Sequence, residues 1–448
     1  MGELAEKRIS AEPSSFWIGS GGRLLKIVVV GNGITGVTAA RRLRTLQPDW
    51  HITLVSGEST YHYSRPALMY IFMGHMSYDA TKPFEDDFWR DQRLELLRAW
   101  VTEIDIDNKQ LIFHDKDPLL YDRLLIATGA KSNKFGWPGQ DLEGVQGLYN
   151  LKDLRKLYKN VEQVEHAVIV GGGLIGIELA EMLKSRHIEV TFLIREESYW
   201  NNILPSEESR MVSQLIKEQR IKLITETNLK EIVDDGVGRA KAIITEFDKQ
   251  IDCQLVGLTV GVSPNTDLVR STRIKAKRGI LVDSSFRTNI PDIYAAGDCA
   301  EIIGQNPGTN LIQQIWYTGK RQGAFVGEIL AGKDKKYDPG IWYNSAKFFD
   351  LEYQAYGMVS SSPKVGEHHI YWEHPSRRHS VRIVAVDGYV KAFNFMGIRA
   401  RQEVCERWII EKQRLTYVLD HFEEVNFDPE FFIRYEPEIV CSLKEQLV

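Results

Sequence analysis

The sequence predicts an α/β protein with two Rossmann-like three-layer dinucleotide-binding domains and a C-terminal α+β domain. Three observations carry this expectation. Two glycine fingerprints, Gly31-Asn32-Gly33-Ile34-Thr35-Gly36 and Gly171-Gly172-Gly173-Leu174-Ile175-Gly176, occur on one chain. Each directly follows an apolar run, Lys26 to Val30 and Ala167 to Val170, and precedes a proline-free stretch of helical composition, Val37 to Leu46 and Ile177 to Lys184. Beyond about Lys336 the texture changes to short aromatic-rich segments such as Ser380 to Val386 and Tyr389 to Phe395. A buried strand, a glycine turn and a helix in succession set backbone N–H groups and a helix N-terminus against a pyrophosphate. Two dinucleotides are therefore expected; the plainer alternative is that the glycines only make tight turns.

A chain of 448 residues exceeds the size at which one core stops growing, so two or three domains are expected. Its composition is 43% hydrophobic and 26% charged with formal net charge -5, a balance that argues against a nucleic-acid partner, whose phosphates favour a basic surface. No run reaches the roughly 18 apolar residues of a membrane span, and Met1 to Gly22 lacks the apolar stretch of a signal peptide. Residues 1–22 read as a flexible leader, and a cytoplasmic location is expected. Cys253, Cys299, Cys405 and Cys441 are scattered, with neither the clustered ligands of a zinc site nor the close pair of a redox dithiol. No metal is expected, and each cysteine reads as a small buried hydrophobe.

Following the first glycine unit, the strand His51 to Val55 ends at Ser56-Gly57-Glu58. An acid about 20 residues past the glycines accepts hydrogen bonds from a ribose, which makes Glu58 the candidate; the alternative is a solvated surface carboxylate. Tyr61 to Tyr70 reads as a loop that opens a helix, with His62 a loop residue. Short strands follow at Ala99 to Ile106 and Gln110 to His114, and then Tyr121 to Ala130, an apolar strand closed by the small-residue turn Ala127-Thr128-Gly129, where backbone can press close to a cofactor. In the second unit the strand Val190 to Ile194 precedes Arg195-Glu196-Glu197, and Gln254 to Val260 with Gly261-Val262-Ser263-Pro264 repeats the strand-and-turn closure. A further buried strand ends at Gly297-Asp298, where the carboxylate has two roles open to it, accepting hydroxyl hydrogen bonds or capping a helix. Phe393 to Arg399 reads as a β segment leading into a helix, Gln402 to Lys412.

In this order, the two fingerprints, the Leu124 to Ala130 strand and the Ile293 to Ala300 segment resemble the two-dinucleotide-domain flavoprotein superfamily of pyridine nucleotide-disulfide oxidoreductases, over roughly Lys26 to Gly332. Tyr63-Ser64-Arg65-Pro66-Ala67-Leu68 looks like the "Y-x-R-P-P-L" loop of ferredoxin and rubredoxin reductases, the nitrite reductase flavin subunit and apoptosis-inducing-factor-like proteins. Trp316 to Gly323 looks like their "W-x-x-A-x-x-Q-G" helix opening. The resemblance implies an FAD-binding domain over 23–140 and 264–336, an NAD(P)H-binding domain over 141–263 and the C-terminal domain over 337–448. Gly31, Gly33 and Gly36, with Ile34 and Thr35, then face the FAD pyrophosphate, and Glu58 its adenosine ribose. Ala127, Thr128 and Gly129 lie along the cofactor, Gly297 and Asp298 at the ribityl chain, and Arg65, Pro66 and Trp316 at the isoalloxazine. Gly171, Gly173 and Gly176, with Leu174 and Ile175, seat the NADH or NADPH pyrophosphate, Glu178 approaches the nicotinamide, and Gly261 closes that site.

The sequence departs from the family pattern in three places. Disulfide reductases of the superfamily carry cysteine near Ser64 to Leu68, and this chain has none before Cys253, so disulfide reduction is not expected. The relatives' lysine is Tyr70 here, which either packs on the flavin face or lines its helix. The second strand ends in Ile194 where an NADH site places an acid, and Arg195 follows as a candidate reader of a 2′-phosphate; Gly176, Glu196 and Glu197 point instead to NADH. The activity implied is FAD-dependent NAD(P)H oxidation with hydride transfer to flavin and electrons passed to a small iron–sulfur carrier, a ferredoxin or rubredoxin. Alternatives are an NADH oxidase or quinone reductase, or a slow redox-sensing interaction protein, for which the aromatic run Trp342 to Phe349 is the feature to watch against a simple core role. By analogy, the C-terminal domain covers the flavin or forms a homodimer.

Overall fold

The computed structural model describes residues 24–304, 309–427 and 433–447. The expected leader over 1–22 lies outside them. Two five-stranded parallel sheets carry the two glycine turns. In the first the strand order is Ile293–Ala295, Arg123–Ile126, Lys26–Val30, His51–Ser56 and Leu94–Arg98; in the second it is Lys222–Ile224, Glu189–Leu193, His166–Val170, Leu255–Leu258 and Val145–Gln146. In each, the strand before the glycines lies at the centre, between two parallel neighbours. Burial on both faces explains why these strands are unbroken apolar runs rather than alternating ones. Ile27 to Val29 and Ala167 to Ile169 are at most 1% exposed.

The register repeats as well. Gly31 donates its amide to the Val55 carbonyl at 2.8 Å and Gly171 to that of Leu193 at 3.0 Å, with φ of +116° and +111°. Both values lie where only glycine sits without strain, and a Cβ at Gly31 would collide with the Ala127 carbonyl. Behind the first sheet, helix Ile34–Leu46 packs on helix Trp316–Leu330 through Gly323 and Gly327, whose missing side chains admit the backbone oxygens of Thr35 and Ala39. Two short strands, Ala130–Ser132 and Val262–Pro264, pair antiparallel where the chain passes between the two units.

The last part is a five-stranded antiparallel sheet, ordered Tyr343–Phe348, Leu351–Tyr356, Tyr389–Met396, Ser380–Val386 and Glu367–Glu373, with helices Gln402–Ile410, Leu415–Asp420 and Glu436–Glu445 against it. Phe348 and Phe349 are core residues, but of the core shared with the second glycine unit, where Phe348 packs edge-on against Trp200, while Trp342 and Tyr343 of the same run are only half-buried. The same contact is locked by charge: Arg382 on strand Ser380–Val386 reaches Glu208 at 2.7 Å and Glu207 at 2.7 Å on helix Ser206–Glu218, with Glu208 fully buried. Three cysteines are buried as expected, but Cys441 is exposed. Among the described residues, no helix is long and apolar enough to cross a membrane.

Candidate functional site

A cleft of about 1020 Å³ opens along the C-terminal ends of the first sheet, the edge at which open α/β sheets bind ligands. Its floor is the first glycine turn: Gly31, Gly33, Ile34 and Thr35 all line it. A Cβ placed on Gly33 would meet no protein atom within 4 Å, so the glycine faces open cleft rather than packed protein. The first turn of a helix leaves backbone N–H groups without intrahelical partners, and those of helix Ile34–Leu46 start at this point. Gly36 works differently: its hydrogen lets the Gly31 carbonyl and Val29 come close.

The turn is braced from the side by His62. Its Nδ1 lies 2.8 Å from the Asn32 carbonyl, and since a carbonyl only accepts, Nδ1 carries the proton. Burial lowers the pKa of the imidazole to about 4, leaving it neutral near pH 7. Asn32 in turn donates its side-chain amide to the Ser59 carbonyl at 2.9 Å. His62 thus lines the cleft instead of sitting in a bystander loop.

Elsewhere in the cleft, Tyr149 links two of the expected residues, Arg65 and Asp298. Its hydroxyl accepts the Ala130 amide at 2.9 Å and donates to Asp298 Oδ2 at 3.2 Å, while Arg65 lies 4.7 Å above its ring and donates to its carbonyl at 2.9 Å. Burial raises the Asp298 carboxyl above the usual carboxylate range. Asp298 caps no helix: it sits inside the turn Gly297–Cys299, which runs straight into strand Ala300–Ile302. Gly297, at φ +79°, donates its amide to the buried Gln322 at 2.8 Å and packs against Thr35. Thr128 donates to the Asn265 carbonyl at 2.7 Å, and Ala127, Thr128 and Gly129 all line the cleft.

Glu58 lines the cleft, half-buried, with its carboxylate already engaged by the protein. Tyr63 and the Leu151 amide both donate to Oε1, the latter at 2.9 Å, and Arg65 lies 3.1 Å from Oε2. Leu151 opens a helix, Leu151–Asn160, fixed by a capping box between Asn150 and Asp153.

From the second unit, Ile175 and Glu178 reach the same cleft, which Arg65, Pro66 and Trp316 also line. Among the described residues no cation pairs with Glu178; burial and the nearby Glu181 raise its pKa to about 7. Tyr70 lies outside the cleft lining, its ring 6.2 Å from His75, which agrees with the helix-lining alternative. The second glycine turn repeats the first: Gly173 faces open space, while Gly176 packs against Tyr199 and Thr259, and Tyr199 donates to the Gly173 carbonyl at 2.8 Å. Leu174 starts its helix, Leu174–Lys184, and Gly261, at φ +86°, turns the chain beside Asn133. Arg195 is mostly exposed and pairs with Glu196 at 3.0 Å, beside a fully buried Ile194. Sequence reading passed over Tyr149, Trp100 and Asn32; only the capping pattern of Asn150 and Asp153 offered a local signal near them.

Two parallel sheets that each carry a glycine turn, the first turn in a cleft that Ile175 and Glu178 of the second unit also line, are the architecture of a pyridine-nucleotide oxidoreductase. The chain belongs to the pyridine nucleotide-disulphide oxidoreductase family, whose model matches residues 25–323. It is 29% identical over 353 residues to an NADH oxidase of Methanocaldococcus jannaschii, covering 75% of this chain and 77% of that protein. It is 30% identical over 313 residues to an NADH-rubredoxin oxidoreductase of Clostridium acetobutylicum, covering 70% and 76%. Its fold matches that of a ferredoxin reductase from Rhodopseudomonas palustris with TM-score 0.76 and 22% identity, over 83% of this chain and 91% of that one.

Proposed function

We propose that the cleft holds FAD with its pyrophosphate on the Gly31–Gly36 turn, that the Gly171–Gly176 turn holds NADH, and that electrons leave to a small iron–sulfur carrier. The observation that carries this is a cleft lined by both units: Gly33 of the first glycine turn opens into it, and Ile175 and Glu178, on the helix that follows the second turn, line it as well. A volume of about 1020 Å³ suits an elongated dinucleotide. When bound, the flavin supplies the two-electron step from the nicotinamide and its onward division into single electrons.

The chain's own residues bind, orient and exclude water. Helix Ile34–Leu46 presents its positive end to the pyrophosphate. Asp298, held by Tyr149, accepts hydroxyl hydrogen bonds from the ribityl chain, and Arg65 and Trp316 border the ring system. Glu178, uncharged for part of its population at neutral pH, is able to donate a hydrogen bond where a carboxylate only accepts. On this reading residues 23–140 and 264–336 form the FAD-binding domain, 141–263 the NADH-binding domain and 337–448 a C-terminal domain docked on the latter through Arg382 and Glu208.

NADH rather than NADPH is supported by the names of both relatives and by the tie between Arg195 and Glu196. Accordingly Arg195→Glu is expected to leave kcat/KM for NADH within about twofold; a tenfold fall confined to NADPH would assign a 2′-phosphate to Arg195.

Carrier dependence tests the acceptor. With NADH and cytochrome c present, adding a rubredoxin or ferredoxin raises cytochrome reduction well above the carrier-free rate. A rate indifferent to either carrier refutes the proposal. Stoichiometric peroxide from dioxygen in its place would establish the second reading, direct oxidase activity, which the likeness to the NADH oxidase favours.

A further inference from the structure

Trp100 has no part in the account above, yet it is among the most exposed large apolar side chains of the fold, at 68%. It follows strand Leu94–Arg98 and lines the cleft with Ser56, Gly57 and Ala99, at the end of the first sheet beyond the glycine turn. Its six-membered ring lies so close to Gly57 that any side chain at that position would collide with it. The strand end Ser56-Gly57 therefore offers an aromatic surface where nucleotide-binding sheets of this type offer a carboxylate to the ribose. The first acid after it, Glu58, is held by Tyr63, Arg65 and the Leu151 amide.

We propose that Trp100, seated against Gly57, is the stacking surface for the purine base of the dinucleotide bound in the first cleft, and that this contact takes over affinity a ribose-bound carboxylate would supply. The inference rests on the FAD reading above. An exposed indole at a cleft rim keeps a large apolar face in water until a planar base covers it. Stacking of a base on an aromatic side chain is worth about 1–3 kcal/mol, or roughly 5- to 150-fold in affinity. The side chain is exposed and closes no part of the core, so its removal leaves the fold intact.

The test measures dissociation constants of FAD and FMN by flavin fluorescence on flavin-stripped full-length protein, with Trp100→Ala and Trp100→Phe beside the wild type and circular dichroism as the fold control. FMN lacks the adenosine half. Trp100→Ala is expected to weaken FAD by about tenfold or more and leave FMN unchanged, and Trp100→Phe to recover most of the loss. FAD affinity within twofold of wild type in Trp100→Ala, or equal losses for FAD and FMN, overturns the stacking role and leaves the FAD reading standing. Failure of the wild-type protein to bind FAD overturns both.

Discussion

Replacing Glu178 by Gln probes a half-buried carboxyl that no cation among the described residues pairs with. Its pKa rises from 4.5 to about 7 because burial disfavours the charged form and Glu181 adds like charge. At ~1.36 kcal/mol per pH unit, the rise corresponds to about 3 kcal/mol, a ceiling because the cleft admits some water. The sign follows from the direction: a raised folded-state pKa leaves stability intact below pH 4.5 and removes it progressively as pH rises through 7. Gln is neutral at every pH and nearly the same shape, so it escapes that loss. The assay is thermal unfolding of flavin-free protein at pH 5 and pH 8, wild type beside Glu178→Gln. At pH 8 the variant is expected to melt higher, by roughly 2–4 °C per kcal/mol recovered in a unit of 150–250 residues; at pH 5 the two melt nearly together. An equal difference at both pH values, or a wild type that melts higher at pH 8, would refute the assignment of a strained, unpaired carboxyl to this site.

Other substitutions separate the roles of individual residues. Gly33→Ala adds a methyl to open cleft and Gly31→Ala drives one into the Ala127 carbonyl at φ +116°; circular dichroism and flavin content should show Gly33→Ala folded with little flavin and Gly31→Ala misfolded or insoluble. Arg382→Ala leaves Glu208 charged and fully buried, so melting should report a loss of about 3–5 kcal/mol, largely restored by adding Glu208→Gln. Tyr149→Phe strips Ala130 of its acceptor and Asp298 of a donor; a loss of about 1–3 kcal/mol is expected in denaturant titrations, and an unchanged midpoint would remove Tyr149 from the network.

The parts of this fold that show in the sequence are those set by local pattern. Residues 27–30 and 167–170 are buried on both faces of parallel sheets, so they appear as uninterrupted apolar runs, and the glycines after them are demanded by positive φ and close backbone approach. Tyr149 meets Asp298 across 149 positions and Arg382 meets Glu208 across 174, and no periodicity encodes such pairs. Glu58 illustrates the limit most clearly. Its distance from the glycines suggests a ribose ligand, but Tyr63, Arg65 and a helix N-terminus at Leu151 converge on it, and only the tertiary structure brings the last of these there. Trp100 escaped notice for the same reason: the significance of its indole depends on a glycine 43 positions earlier on the neighbouring strand end.

One experiment bears most directly on the paired cradles: an absorption spectrum of the purified protein followed by anaerobic titration with NADH. The account predicts a yellow protein whose flavin absorption bleaches on addition of about one equivalent of NADH. A protein that stays colourless after incubation with FAD, or a yellow one that neither NADH nor NADPH bleaches, would contradict it.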